Sequence, residues 1–248
     1  MKIGILITAR LKSSRLPMKA LKNIMGKPMI VHMIDRLKLS RKAKLIVMNT
    51  STNPQDDALV EIAKKEGIYY FRGHEDDVLF RTYEAASYYK IDLVINCTAD
   101  NPFVDPVYID KLVKYHLLEN NDFTNIEGLP FGVFSYAVNR EAIKKALEIK
   151  DEIDTEAWGG YFKDTGKFEI GTLVVDNSFF RRPNLRLTVD YEEDFRLVTK
   201  IFEGLYNGRR VFSLKEILEY LDKYPELEKI NIKVRQKEPL PIKLKKYV

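Results

Sequence analysis

Residues 2–8 are short, β-branched and apolar on both faces, the pattern of a central strand in a parallel sheet. After a polar loop, Pro28 suits a first helical turn, and Met29, Ile30, Met33, Ile34 and Leu37 recur on one face of the helix that follows. The alternation then repeats. Strands are predicted over 44–49, 68–71 and 92–98. Helices are predicted over 54–65, with Leu59, Ile62 and Ala63 inward and Gly67 closing it, and over 76–89, with Val78, Leu79, Tyr83 and Ala86 buried. Tyr69, Tyr70 and Phe71 read as core. Such spacing predicts a Rossmann-like, doubly wound α/β fold. Right-handed crossovers place the second and third strands on one side of the first and the fourth on its other side. The loops after the first and fourth strands then face one crevice, where open α/β sheets bind ligands.

From Asp122 the pattern changes. Strands are predicted over 123–126, 131–138 and 167–175, and helices over 139–149 and 151–162, the second ended by Gly159 and Gly160. Residues 185–189 read as a returning core strand, 192–206 and 213–224 as helices, and the tail from Pro225 as extended. The chain divides into residues 1–121, which hold the first polar loop, a middle lobe 122–184 that extends the now mixed sheet, and a returning segment 185–248.

The first loop holds Arg10, Lys12, Ser13, Ser14, Arg15 and Lys19, donors able to converge on one anion, though a charge run is also the pattern of a solvated turn. Three cations in one loop repel one another unless a polyanion sits among them. Neither glycine-rich phosphate motif is present, so no P-loop or dinucleotide site is expected. The fourth strand ends in Thr98-Ala99-Asp100-Asn101-Pro102, which places a carboxylate where it can hold a divalent ion or serve its own turn. Asp105 before Pro106 reads as a helix N-cap. Asp190, with Glu193 three residues on, reads as the N-cap of a capping box.

Composition narrows the rest. The 248 residues carry 41 basic and 36 acidic side chains, a net charge of +5 that suits a polyanionic ligand without requiring nucleic acid. Cys97 is the only cysteine and reads as buried and structural; His32, His74 and His116 lack metal-ligand spacing. No apolar run reaches a membrane span, and the N-terminus starts in a strand, so a cytoplasmic protein is expected.

Ala9, Arg10, Ser13, Ser14, Arg15, Leu16, Pro17, Lys19 and Leu21 form A-R-x-x-S-S-R-L-P-x-K-x-L. This resembles the loop of the cytidylyltransferases that make CMP-activated sugars, most closely the spore-coat-polysaccharide (SpsF-like) branch, a relative of the CMP-ketodeoxyoctonate and acylneuraminate synthetases. Thr98, Asp100, Pro102, Asp105 and Pro106 resemble that family's T-G-D-x-P-x-x-D-P, and Arg186 to Asp194 its L-R-x-T-V-D-x-x-E-D. Arg72 to Arg81 resembles the stretch near base and ribose. The resemblance implies CMP transfer from CTP to an acidic or phosphorylated sugar for polysaccharide synthesis. Magnesium would sit on Asp100 and Asp190. Arg10, Arg15, Lys19 and Asp100 would be catalytic, and Ala9, Arg10, Ser13, Ser14, Arg15, Lys19, Arg72, Arg81, Thr98 and Ala99 would bind nucleotide. A homodimer through residues 131–138 is implied as well. Met18 and Ala99 stand where the family usually has Gly, and Pro130, Gly132 and residues 152–157 depart from its acceptor motifs. A nucleotide-sugar glycosyltransferase and a non-enzymatic nucleotide-binding protein remain the alternatives; no D-x-D pair follows the fourth strand.

Overall fold

The computed structural model describes residues 1–13, 15–155, 158–208, 210–237 and 241–245. Ser14 and the end of the 152–157 stretch lie outside them. Strands β1 (Ile3–Thr8), β4 (Leu45–Ser51), β5 (Tyr69–Gly73) and β6 (Leu93–Thr98) are parallel, and β2 (Asn23–Ile24) and β3 (Lys27–Pro28) form a separate two-stranded ribbon. Strands β7 (Phe123–Glu127), β8 (Tyr136–Asn139) and β9 (Ile170–Val174) extend the main sheet, in the order β5-β4-β1-β6-β8-β7-β9. β8 runs antiparallel to both its neighbours and β9 parallel to β7, so β8 is the one reversed strand of the seven. The expected placement of the first four strands is the observed one, and so is the mixed Rossmann-like class.

Alternate residues of the central strands leave opposite faces. Ile5 and Ile7 of β1 join the core that also holds Leu93, Ile95 and Cys97 of β6, while Leu6 and Val94 join the core on the other face. The first face is covered by α1 (Met29–Leu37), α2 (Asp57–Lys65), α4 (Pro106–Glu119), α7 (Glu192–Leu205) and α8 (Leu214–Lys223). The second is covered by α3 (Val78–Tyr88), α5 (Arg140–Ile149) and the single turn α6 (Gly160–Lys163). No helix among the described residues is long and apolar enough to cross a membrane.

Several expectations are corrected. Residues 185–189 are not a sheet strand: Phe131 N–H donates to Leu185 O, Leu187 N–H to Phe131 O and Val189 N–H to Asp100 O, so this apolar run pairs with loops above the sheet. Of the 131–138 stretch only 136–138 lies in a strand, the start of β8, while Gly132 sits at φ +95° against residue 188. β8 lies between β6 and β7 in the sheet. Among the described residues of the helix expected over 151–162, only α6 is helical, begun rather than ended by Gly160. Tyr69 and Tyr70 are exposed on the edge strand β5 rather than core. The tail opens with a 3-10 helix over Pro225–Ile230. Cys97 is buried, which pushes its thiol far up from the ordinary value and makes it inert as a nucleophile. Buried His32 and His116 bond Ile24 O and Thr124 Oγ1 respectively.

Gly132 lets residues 131–133 lie against the segment that carries Asp190. A Cβ there would stand 2.4 Å from Thr188 N. Gly132→Ala is therefore expected to cost about 2 kcal/mol or more, which for a domain of this size lowers Tm by roughly 4–8 °C. An unchanged Tm by calorimetry would contradict this contact.

Candidate active site

Three loops meet above the carboxyl ends of β1 and β6. The loop after β1 supplies Arg15 and Lys19, the turn after β6 supplies Thr98 and Asp100, and the segment before α7 supplies Arg186 and Asp190. The backbone of the first two loops is anchored locally. Ala9 N–H donates to Asn49 O and Ala9 O accepts from Thr50 Oγ1; Ala99 N–H donates to Thr8 O. Leu11 N–H donates to Asp56 Oδ1 at 2.8 Å, and the other carboxylate oxygen of this buried acid accepts from Ser51. Met18 occupies the left-handed region at φ 56°, which explains why a glycine suits that position.

The centre of the site is the Lys19 ammonium. Its Nζ donates to Asp100 Oδ2 at 3.1 Å, Asp190 Oδ1 at 3.0 Å and Val189 O at 2.8 Å. Burial works against the charge on Lys19, but Asp100 and Asp190 outweigh it and hold the pKa above the ordinary lysine value. Arg15 Nη2 lies 2.9 Å from the same Asp190 Oδ1. Arg186 donates to Asp190 Oδ2 at 2.9 Å, to fully buried Asp194 through Nε at 2.9 Å, and to Gln236 Oε1 at 2.6 Å. Asp194 in turn accepts the N–H groups of Asp190 and Tyr191. The capping box is therefore built on Tyr191 with Asp194 at N3, one residue later than expected, and Asp190 is left for the cleft. Thr98 Oγ1 donates to Asp100 Oδ1 at 2.6 Å. Asp105 caps α4 as expected, accepting from Val107 and Tyr108 N–H.

The loop cations do not cluster on one point. Arg10 turns the other way, to Glu75 O at 3.0 Å and Asp76 Oδ1 at 3.1 Å, and Lys12 lies 3.4 Å from Glu75. Each of Arg10, Arg15 and Lys19 is matched by an acid, so mutual repulsion is relieved within the protein, contrary to the expectation that only a polyanion relieves it. Ser13 Oγ accepts from Leu16 N–H at 3.4 Å. Arg72 reaches Asp57, Ser51 O and Asn53 O. Arg81 is fully buried, donates to His74 O and Glu75 O, and is lowered to about 10 by burial and then by Arg10. Its contacts hold the loop before α3.

The sequence reading missed what surrounds the acids. A cleft of about 550 Å³ opens from Arg15, Asp100 and Asp190 across β6, β8 and β7, walled by Phe131, Phe134, Tyr136 and Trp158, with Lys163 and Gln236 as polar contributors. The aromatic residues were visible but lie on two separate segments, 131–136 and 158, which only the tertiary fold brings together. For magnesium, the donor set fits: two carboxylates share one ammonium, and a hard divalent cation takes one or two carboxylates plus phosphate oxygens. Among the described residues there is no cluster of three or more His, Cys, Asp or Glu that would hold a metal unaided.

A Rossmann-like sheet with a basic loop and paired acids at its carboxyl edge defines a nucleotide-dependent transferase. The chain belongs to the cytidylyltransferase family, whose model matches residues 4–235, and it is accordingly a CTP-dependent nucleotidyltransferase. It is similar to an uncharacterised protein of Methanocaldococcus jannaschii, 32% identical over 96% of this chain and 97% of that one. The spore coat polysaccharide biosynthesis protein SpsF of Bacillus subtilis is 27% identical over 89% of this chain and 94% of its own. A solved cytidylyltransferase from Leptospira borgpetersenii superposes with a TM-score of 0.84 at 26% identity, covering 96% of this chain and all of that one, 100%.

Asp190 is held below the ordinary carboxylate pKa although burial opposes this, because Lys19, Arg15 and Arg186 favour its charge. Its contribution is thus present above its unfolded value of about 3.9 and lost as pH falls through the lower folded value. The Tm gap between wild type and Asp190→Asn is expected to be widest near neutrality and to close below about pH 4. A gap constant across that window would show that Asp190 is not held by these cations.

Proposed function

We propose that the protein transfers CMP from CTP to an acidic sugar of the ulosonic type, with a phosphorylated sugar or polyol as the alternative acceptor, for polysaccharide or glycan synthesis. The observation that carries this reading is the junction of the Lys19-Asp100-Asp190 cluster with the aromatic cleft. Triphosphate chemistry belongs at the charged end, and a sugar, whose C–H face packs on aromatic rings, belongs at the other. The loop after β1 and Arg72 serve the nucleotide over β1 and β4, while β8, β7 and α6 serve the acceptor. Lys163 lies within 5.7 Å of the Phe123 ring and 5.6 Å of the Tyr136 ring, which puts a cation beside the sugar site for an acceptor carboxylate or phosphate.

In the reaction, the acceptor oxygen forms a bond to the α-phosphorus of CTP as the bond to the β-phosphate oxygen breaks, and pyrophosphate leaves. Such a transfer depends on positioning and charge neutralisation. Arg15 and Lys19 hold the triphosphate and offset charge on the departing pyrophosphate, a role supported by their position around Asp100 and Asp190. Asp100 and Asp190 would hold magnesium, which would supply further charge neutralisation to the transferring phosphate. Lys19 then has two tasks: it keeps the acids together before the substrates arrive and binds phosphate afterwards. A homodimer with contact through residues 131–138 and neighbouring elements is part of the proposal.

A pyrophosphate-release screen of the four nucleoside triphosphates against ulosonic acids and sugar phosphates tests the reading. CTP with an ulosonic acid is the expected pair, and Asp100→Asn is expected to abolish release with the fold intact. Release only with a nucleotide other than CTP would overturn the assignment. CTP with magnesium is also expected to stabilise the protein by roughly 2.7 kcal/mol at a hundredfold excess over Kd, and CMP by much less. Arg15→Ala should weaken CTP binding strongly and CMP binding little. Equal stabilisation by CMP and CTP in thermal-shift titrations would show that the loop does not read the triphosphate.

A further inference from the structure

Residues 236–237 and 241–245 lie beyond residue 235, where the family match ends, and Gln236, Pro241 and Ile242 line the cleft. Leu244 forms an antiparallel bridge with Lys150 at the end of α5. Asp151 N–H donates to Lys243 O at 2.9 Å, Lys245 N–H to Ile149 O at 3.0 Å, and Tyr161 OH to Lys243 O at 3.3 Å. Residues 243–245 are thus seated by backbone bonds, which fixes where the preceding side chains stand. Pro241 and Ile242 face the cleft beside Trp158 and Gly160. Ile242 packs on the second core, and a Cβ on Gly160 would come within 2.8 Å of its Cγ2. Nearer the acids, Gln236 accepts from Arg186, the residue that also holds Asp190.

We propose that this tail is a wall of the acceptor site and that Ile242 is a specificity-determining residue, limiting the size of the substituent an acidic sugar can carry beside Trp158. The inference rests on the acceptor reading above. Its physical basis is that Ile242 is an apolar, half-buried side chain that lines the cleft together with Trp158, Phe131, Phe134 and Tyr136 and makes no contact with Arg15 or Lys19. Changing its volume alters the space for the sugar without touching a phosphate ligand. Gly160, in contact with it, leaves room for the tail to sit this close. Trp158 is the chain's single tryptophan, so its emission reports directly on this wall.

The test uses full-length variants. With the acceptor identified by the pyrophosphate screen, Ile242→Phe is expected to raise the acceptor KM about tenfold or more, and Ile242→Ala to reduce discrimination against an N-acylated analogue by about tenfold. The KM for CTP should stay unchanged in both. In Ile242→Asp, a carboxylate placed against the Trp158 cluster and near Asp164 unseats the tail, so Trp158 emission shifts to the red and acrylamide quenching rises. Ile242→Phe and Ile242→Ala altering neither KM, or altering the CTP and acceptor values alike, would overturn the proposal. Should wild type turn over no acceptor in the panel, the acceptor reading fails on its own. The tail is then decided by fluorescence: unchanged emission and quenching in Ile242→Asp would overturn its place as a wall.

Discussion

The ammonium of Lys19 joins parts of the chain that are 81 and 171 residues away in sequence, and the active-site region depends on that junction. Asp100 and Asp190 are needed close together if they are to share a cation, yet two carboxylates so placed repel. Before any substrate is bound, Lys19 supplies the positive charge between them, and Arg15 and Arg186 neutralise what remains on Asp190. A buried group of this kind contributes less net stability than its number of contacts suggests, because desolvating the charges is costly. What it gives is a defined geometry, and removal of any one partner leaves the others uncompensated.

The sheet joins this junction to the aromatic cleft. Four parallel strands place the loops after β1 and β6 side by side, as the reversal of strand order at β1 requires. β8 then runs against β6, and its antiparallel course carries Tyr136, and Phe134 just before it, to the cleft instead of sending another loop to the nucleotide side. The segment with Asp190 is carried across by backbone pairing to Phe131 and Asp100, with Gly132 allowing the closest approach. The charged and aromatic halves are therefore built from different parts of the fold and share only the acids between them.

The nucleotide half was legible because its signals are local. Each of β1, β4 and β6 is an apolar run, each following helix has a one-sided apolar stripe, and the basic loop and Asp100 follow strand ends directly. Where the signal depends on distant partners, the sequence misled. Leu185, Leu187 and Val189 have the burial of a strand, but their backbone partners are loops. Asp190 and Glu193 have capping-box spacing, whereas the network with Arg186 and Asn231 selects Asp194. Tyr69 and Tyr70 are strand residues on an edge, and edge position is a property of sheet order, invisible in their own hydrophobicity. The aromatic wall and the return of the tail depend entirely on tertiary placement.

This junction requires that Lys19 and Asp190 be energetically coupled in the protein without nucleotide. The most direct measurement is a double-mutant cycle of Lys19→Met and Asp190→Asn by urea denaturation in the absence of CTP and divalent cations. A coupling of about 1–3 kcal/mol is expected for charged partners within one buried network. Additivity within roughly 0.5 kcal/mol would contradict it, and would mean that the two acids are brought together by the backbone alone.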